Sequence, residues 1–303
     1  MSIRDTSGRA AMLRHKLTGE SYPRSRERNE ALSLGEAFIP AGSVRQQRLE
    51  RWLFACIARP FRRTGVPLGI RYVVPCTDGL VIHLDDCRER IRDILANILP
   101  FAGDEHPDEV YGVPGLRVSD WKRGLAHLSV PGETAAITFA GFPYRTWEAA
   151  WREVEEGFTE VDGLQRFWCD SPGALHQREM DFLTRWDSTD GEEASWWLAS
   201  GILRRIHVFG GSAVPTHVKA WSYPGRPGDD WVIEVLCTDP RQSHIEMVNL
   251  LTVPGVGLPL DQIGLECYCG DGSMRSCKAY LHAQGDQGGS LQIQFNRRRY
   301  GRR

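Results

Sequence analysis

The pattern of hydrophobic and polar positions predicts the same order of helices and strands twice along the chain. Apolar segments at residues 51–58 and 196–203 each predict a helix, followed by a stretch rich in Gly and Pro. Two strands come next in both halves, because short β-branched and apolar runs are bounded there by turn residues. These strands cover residues 70–74 and 80–84 in the first half, and residues 217–221 and 231–235 in the second.

An amphipathic helix follows the strand pair in each half, with an asparagine at the same place, Asn97 or Asn249. A proline, Pro100 or Pro254, ends each helix, because proline lacks a backbone donor and its ring clashes with the preceding turn. Three strands close each half, at residues 115–118, 125–130 and 135–139 and at residues 264–267, 277–283 and 291–295. The sequence therefore predicts an α+β protein of two tandem, diverged α-β-β-α-β-β-β repeats.

The closing strands alternate between apolar and polar residues, which predicts an antiparallel sheet with one face covered by helices. In the second half the predicted buried face holds Leu265, Cys267, Cys269, Ala279, Leu281, Leu291, Ile293 and Phe295. The opposite face holds Glu266, Tyr268, Lys278, Tyr280, His282, Gln292 and Gln294. A polar face of this kind is predicted to meet water or a partner.

The predicted elements divide the chain into five parts. They are a basic helical and loop segment (1–45), repeat 1 (46–141), a helical, aromatic-rich connector (142–190), repeat 2 (191–296) and a basic tail (297–303). The connector carries Trp147, Trp151, Phe158 and Trp186, and large aromatic side chains of this kind usually bury much apolar surface. We expect them to hold the two repeats together.

The composition indicates packed cores, since 41% of the 303 residues are apolar and ten are Trp. The N-terminal residues are charged throughout, and the longest apolar runs are too short for a bilayer span. We therefore expect a soluble, cytoplasmic protein without a membrane partner. Eight Cys at irregular spacing are expected to remain thiols in a reducing compartment.

Charge is distributed unevenly along the chain. Residues 1–66 hold 13 Lys/Arg against 6 Asp/Glu, and the last eight residues add five Arg, so residues 67–295 carry a net charge of −14. Basic chain ends can bind phosphate groups or an acidic protein surface. The residues predicted to contact nucleic acid or an acidic partner are Arg297, Arg298, Arg299, Arg302 and Arg303.

Closely spaced cysteines at the end of the second half raise the question of a metal site. Cys267, Cys269 and Cys277 would share one face of the sheet, and thiolates bind zinc well. However, aligning the halves places aliphatic Val118 at the position of Cys267, and cysteine in such a place behaves as a small hydrophobe. We therefore expect core thiols, no metal and no cofactor.

His244-Ile-Glu246, upstream of these cysteines, resembles the His-x-Glu part of the zinc deaminase motif. The Cys-x-x-Cys spacing and the proline before it, which complete that motif, do not occur in this chain. No activity or residue role follows from the resemblance.

The motif search favours a non-enzymatic binding or regulatory protein, because no nucleophile elbow, phosphate-binding loop or dinucleotide fingerprint occurs. Two alternatives remain. One is an enzyme whose site lies at the junction of the repeats, with one copy degenerate and His207, His217, Glu234 and His244 as candidate titratable groups. The other is an assembly subunit that pairs through the Tyr268/Tyr280 sheet face.

Overall fold

The structure is a computed structural model, and it describes most of the chain. The described residues are 3–33, 35–59, 64–106, 108–169, 173–187, 193–210, 217–222, 230–237, 243–268 and 276–297. None of the helices in these ranges combines the length and the apolar character needed to cross a membrane.

The helices follow the order that the hydrophobic pattern predicts, with two further helices before repeat 1. They are α1 (Ile3–Thr18), α2 (Tyr22–Glu30), α3 (Val44–Ala58), α4 (Arg88–Ile98), α5 (Tyr144–Thr159), α6 (Gln177–Asp187), α7 (Glu193–Leu203) and α8 (His244–Leu251). Helices α3 and α4 belong to repeat 1, whereas α7 and α8 hold the same places in repeat 2.

The strands form two five-stranded sheets of the same topology and one short ribbon. Sheet 1 contains β1 (Ile70–Cys76), β2 (Gly79–Leu84), β4 (Arg117–Lys122), β5 (Leu125–Ser129) and β6 (Ala136–Ala140), in the order β1-β2-β6-β5-β4. Sheet 2 contains β8 (His217–Ser222), β9 (Asp230–Cys237), β10 (Leu260–Glu266), β11 (Cys277–Ala283) and β12 (Ser290–Arg297), in the order β8-β9-β12-β11-β10. The ribbon pairs β3 (Phe101–Ala102) with β7 (Gln165–Arg166).

The predicted fold class is confirmed: the protein is α+β, with two similar sheet units. Each sheet is mixed, however, because its central pair, β2 with β6 or β9 with β12, is parallel. The chain crosses from β2 to the far edge through helix α4, and a three-strand meander then returns to β2. Such a crossover is what a parallel pair requires.

A bulge at the same place in both sheets fixes how the repeats correspond. The register shifts between Val118 and Asp120 where β4 meets β5, and between Gln262 and Gly264 where β10 meets β11. Val118 therefore corresponds to Gln262. The alignment of Val118 with Cys267, on which the prediction of core thiols depended, is wrong, because it takes no account of where each strand starts.

This correspondence also pairs the residues that follow the bulge in the two repeats. Trp121 corresponds to Leu265, since each lies opposite a fully buried alanine of the next strand, Ala126 or Ala279. The pattern predicts that Leu265 and Cys267 are buried, but both are exposed. Both β4 and β10 are edge strands, but Trp121 packs against Trp151 of α5, whereas Leu265 is exposed.

The two repeats meet through their first helices, α3 and α7, which pack along each other. Phe54 of α3 also reaches Trp231 of β9, with ring centroids 5.4 Å apart, so one apolar core runs through both repeats. Inside this contact the buried Glu50 carboxylate accepts hydrogen bonds from Arg204 Nη2 and Ser200 Oγ, both at 2.6 Å. The junction is thus filled by a buried, hydrogen-bonded ion pair.

The connector packs mainly on repeat 1. Trp147 of α5 is fully buried beside Phe142, with ring centroids 4.9 Å apart, and Trp151 lies 5.1 Å from Trp121 of β4. Trp186 of α6 lies 4.8 Å from Trp52 of α3. The ring contacts described for these residues are with repeat 1 or, for Phe142, within the connector, so they do not join the two repeats as expected.

Candidate metal centre

Three potential metal ligands of repeat 2 converge, although they are far apart in sequence. A nitrogen of His244 and the Sγ atoms of Cys267 and Cys277 all lie within 4.8 Å of one another. Within the described ranges, this is the only group of three or more His, Cys, Asp or Glu ligand atoms gathered so closely.

The two cysteines stand opposite each other at the end of a β-hairpin. Glu266 of β10 pairs with Lys278 of β11, and Cys267 and Cys277 are the next residues outward from that pair. Their Sγ atoms lie 3.9 Å apart, and the Tyr268 backbone N–H donates a hydrogen bond to Cys277 Sγ at 3.3 Å. Cys277 is buried and Cys267 is exposed, so the pair spans the boundary between core and solvent.

Helix α8 brings the third group to the same place. His244 is its first residue and is buried, and Ser243 caps the helix by accepting a hydrogen bond from the Glu246 N–H. The imidazole lies against Phe295 of β12, with ring centroids 5.5 Å apart. The ring is therefore held between the start of α8 and the sheet, on the same side as the two thiols.

This donor set suits a thiophilic divalent ion. Imidazole nitrogen and thiolate sulfur are the usual zinc ligands, and Zn–S bonds of about 2.3 Å in a tetrahedron place two sulfurs about 3.8 Å apart. The Cys267–Cys277 sulfur distance of 3.9 Å matches that value. The three described residues would fill three positions of a tetrahedral zinc ion.

Repeat 1 closes the corresponding hairpin in another way. There β4 and β5 are joined by Arg123 and Gly124 alone, with φ angles of 53° and 76°. Two consecutive residues with positive φ form the tight turn that suits a twisted hairpin. In repeat 2, residues 268–276 lie between Cys267 and Cys277 at this place, so the two cysteines flank an insertion that repeat 1 lacks.

The four residues proposed for a catalytic site at the junction lie in different surroundings. His207 is in the 3₁₀ turn Ile206–Phe209, and burial lowers its pKa, with His15 adding to the shift. His217 is buried on β8, and Glu234 of β9 accepts a hydrogen bond from Asn296. Only His244 joins the thiol cluster, so these residues do not form one site.

The residues predicted to contact nucleic acid lie almost wholly outside the described structure. Arg297 ends β12, without a description of its side chain, and Arg298, Arg299, Arg302 and Arg303 fall beyond the described residues. Contact between this tail and nucleic acid or an acidic partner stays a prediction. It is tested by whether deleting residues 297–303 weakens the salt dependence of nucleic-acid binding.

The basic N-terminal segment has much of its charge paired within the fold. The Arg14 and Arg28 guanidinium groups both bind the buried Glu20 carboxylate at 2.7 Å. Lys16 reaches Glu246 of α8 at 3.3 Å, so α1 also contacts repeat 2. These cations stabilise the packing of the segment, which limits the positive surface that it offers.

The aromatic sheet face proposed for assembly is hydrogen-bonded within itself. The Tyr280 and Tyr268 hydroxyl groups donate to the two carboxylate oxygens of Glu266, at 3.1 and 3.5 Å. Burial and the hydrogen bond to Glu266 raise the pKa of Tyr280. Pairing of this face with another chain stays a prediction.

Comparison with known proteins identifies no relative: no family model, no curated protein and no solved structure matches this chain. The metal-ligand cluster is therefore interpreted from its own geometry. In the sequence, His244 and these cysteines are linked only through the zinc deaminase resemblance, and the thiols are predicted to be core residues without a metal. Two features of the sequence pointed to the cluster. One is a histidine directly after a helix-capping serine, and the other is a pair of cysteines on either side of the longer hairpin loop of repeat 2.

Proposed function

We propose that this chain is a non-enzymatic metal-binding protein that holds Zn²⁺ through His244, Cys267 and Cys277. The observation that carries the proposal is the approach of all three ligand atoms to within 4.8 Å of one another. The ion would tie the start of α8 to the loop end of the β10–β11 hairpin. Metal bound in this way adds its binding free energy to the stability of the folded state.

Two observations favour a structural role for the ion over a catalytic one. His244 and Cys277 are both buried, so the protein covers most of the site, and solvent reaches it beside Cys267. Glu246 would be the acid closest in sequence to the histidine, but it pairs with Lys16 of α1. Its carboxylate is also not among the described ligand atoms that lie within 4.8 Å of one another.

The proposal is tested by metal content. The full chain is loaded with Zn²⁺, freed of excess metal by gel filtration and analysed by elemental mass spectrometry. We expect about one Zn²⁺ per chain, and a loss of at least about tenfold in affinity for Cys277→Ser and His244→Asn, since each removes a ligand. Cys76→Ser, at an exposed thiol in sheet 1, is the matched control and should keep the wild-type content.

Co²⁺ substitution reports on the ligands directly, because bound thiolate produces a charge-transfer absorption band in the near ultraviolet. Wild-type protein should show the band and Cys277→Ser should show a weaker one. Circular dichroism of each variant confirms that it is folded. Metal-free wild-type protein under loading conditions, or unchanged binding by folded Cys277→Ser, contradicts the proposal.

A further inference from the structure

The same two cysteines also have the geometry of a disulfide that can form and break. In an antiparallel ladder, residues directly opposite each other have Cα atoms about 4.5–5.5 Å apart, within the range of about 4.4–6.8 Å found in disulfides. Cys267 and Cys277 follow the Glu266–Lys278 pair on the two strands, and their sulfurs are 3.9 Å apart. Closing the bond requires the sulfurs to approach by about 1.9 Å, since an S–S bond is about 2.0 Å long.

The two sulfurs differ in their exposure to solvent, and we expect them to have different roles. Cys267 is exposed at the hairpin end, so a small oxidant in solution can reach it. Cys277 is buried directly behind it, where it can attack an oxidised Cys267 but is itself shielded. An accessible thiol next to a resolving thiol is the usual arrangement of a redox-sensitive pair.

Cys56 provides a contrast within the same protein. It lies in α3, and burial raises the pKa of its thiol to about 12. It stays protonated near neutral pH, and the thiol form is a poor nucleophile. Cys76 and Cys169 are exposed as Cys267 is, so what distinguishes Cys267 among them is the Cys277 sulfur 3.9 Å away.

We propose that Cys267 and Cys277 are a thiol oxidation site at which hydrogen peroxide produces a reversible disulfide. The Cys267 thiolate attacks one peroxide oxygen, an S–O bond forms, the O–O bond breaks, and hydroxide leaves and takes up a proton. The Cys277 thiolate then attacks the Cys267 sulfur, the S–S bond forms, the S–O bond breaks, and a second water leaves. Two thiols lose two electrons and two protons, and hydrogen peroxide is reduced to two waters.

This oxidation would also control the metal site, a consequence that rests on the proposed function. Thiolate is the zinc ligand, and a disulfide sulfur no longer carries the charge that binds the ion. Oxidation would leave His244 as the one remaining described ligand. The bound ion should therefore be released when the disulfide forms and be retained again after reduction.

Peptide mapping tests the inference on the full chain. Metal-free protein is treated with hydrogen peroxide, alkylated, digested without reductant and analysed by mass spectrometry. We expect a peptide linked through Cys267 and Cys277 that disappears after treatment with dithiothreitol. Cys277→Ser should instead accumulate sulfenic acid on Cys267, trapped by a dimedone probe, while Cys76→Ser should behave as wild type.

A second measurement separates this inference from the proposed function. Zn²⁺-loaded protein is oxidised in the presence of a zinc-sensitive dye, and release should follow disulfide formation in time. A disulfide in a protein that binds no zinc would refute the proposed function alone. Cys267 and Cys277 both alkylated after oxidation, or a disulfide joining either to Cys269 or another cysteine, would overturn the oxidation site.

Discussion

Repeat 1 and repeat 2 have the same sheet, but they stabilise its outer edge differently. In repeat 1, helix α5 lies over that edge: Trp151 packs on Trp121 of β4, and Glu153 forms an ion pair with Arg88 of α4 at 3.2 Å. In repeat 2, Leu265 holds the position of Trp121 and is 38% exposed.

The same sheet topology can therefore have its edge strand held in place by different kinds of contact. In repeat 1 the covering helix links α4 to the edge strand through aromatic packing and ion pairs. In repeat 2, His244 at the start of α8 lies close to Cys267 and Cys277 at the end of the edge hairpin. A metal ion there would make the connection that α5 makes in repeat 1, and oxidation could break it.

The largest expected effect concerns the junction that both repeats share. Arg204→Met leaves the Glu50 carboxylate buried without its cation, and breaking a buried pair in this way costs about 3–5 kcal/mol. Urea unfolding followed by tryptophan fluorescence measures the loss. Because one core runs through both repeats, we expect a single transition at lower urea concentration.

A matched surface substitution calibrates the junction experiment. Arg26→Met removes an exposed i,i+4 ion pair with Glu30, and such pairs contribute under about 1 kcal/mol. Two separate transitions in the wild-type protein would show that the repeats unfold independently. An Arg204→Met effect no larger than that of Arg26→Met would show that the ion pair contributes little to stability.

A smaller loss of stability is expected from substitutions that compare the two sheet edges directly. Trp121→Ala should cost about 2–3 kcal/mol, because it removes a large side chain from its packing on Trp151. Leu265→Ala in metal-free protein should cost under about 1 kcal/mol, since the leucine is already partly in contact with water. Both free energies of unfolding are measured in the same urea titrations, and equal losses would contradict the assignment of a covered and an uncovered edge.

The fold could be predicted from sequence because its signals are local and occur twice. Helices α3 and α7 each contain a continuous apolar run that predicts a helix. Strand β11 begins at Cys277 and ends at Ala283, as the alternation of apolar and polar residues predicts. The parallel central pairs could not be predicted, since strand direction depends on how the crossover through α4 or α8 is placed, and periodicity carries no information about that.

The metal cluster escaped prediction for a similar reason. Its members come from a helix start and from two strand ends, and only the register brings them together. The bulges at Ser119 and Ile263 shift that register, and a bulge adds one residue without a reliable sequence signal. Aligning the repeats by residue similarity, without knowing where β4 and β10 start, matched Cys267 with Val118 and made the thiol look like a core residue.

The smallest expected effect concerns corresponding positions on the open sheet faces. His83 of β2 and Glu234 of β9 correspond, because each follows the residue that pairs with Phe139 or Ile293. Those two residues correspond, since they pair with Ala126 and Ala279. The His83 ring stacks on Tyr72, with centroids 3.8 Å apart, and burial lowers its pKa to about 4, with the Arg24 cation adding to the shift. The folded state therefore favours neutral His83.

The sign of the pH dependence follows from that lowered pKa. Unfolded histidine takes up a proton near pH 6.5, whereas folded His83 resists protonation until about pH 4, so its contribution is present above pH 6.5 and is lost as pH falls toward 4. Urea midpoints at pH 7.5 and pH 5 measure the change. We expect His83→Gln to lose less stability between these two pH values than wild type. Arg24→Met should lose an intermediate amount, because the Arg24 cation is the smaller cause of the lowered His83 pKa. If His83→Gln loses as much stability on acidification as wild type, the stacked ring does not resist protonation, and acid sensitivity must be assigned to other groups such as His207, whose pKa burial also lowers.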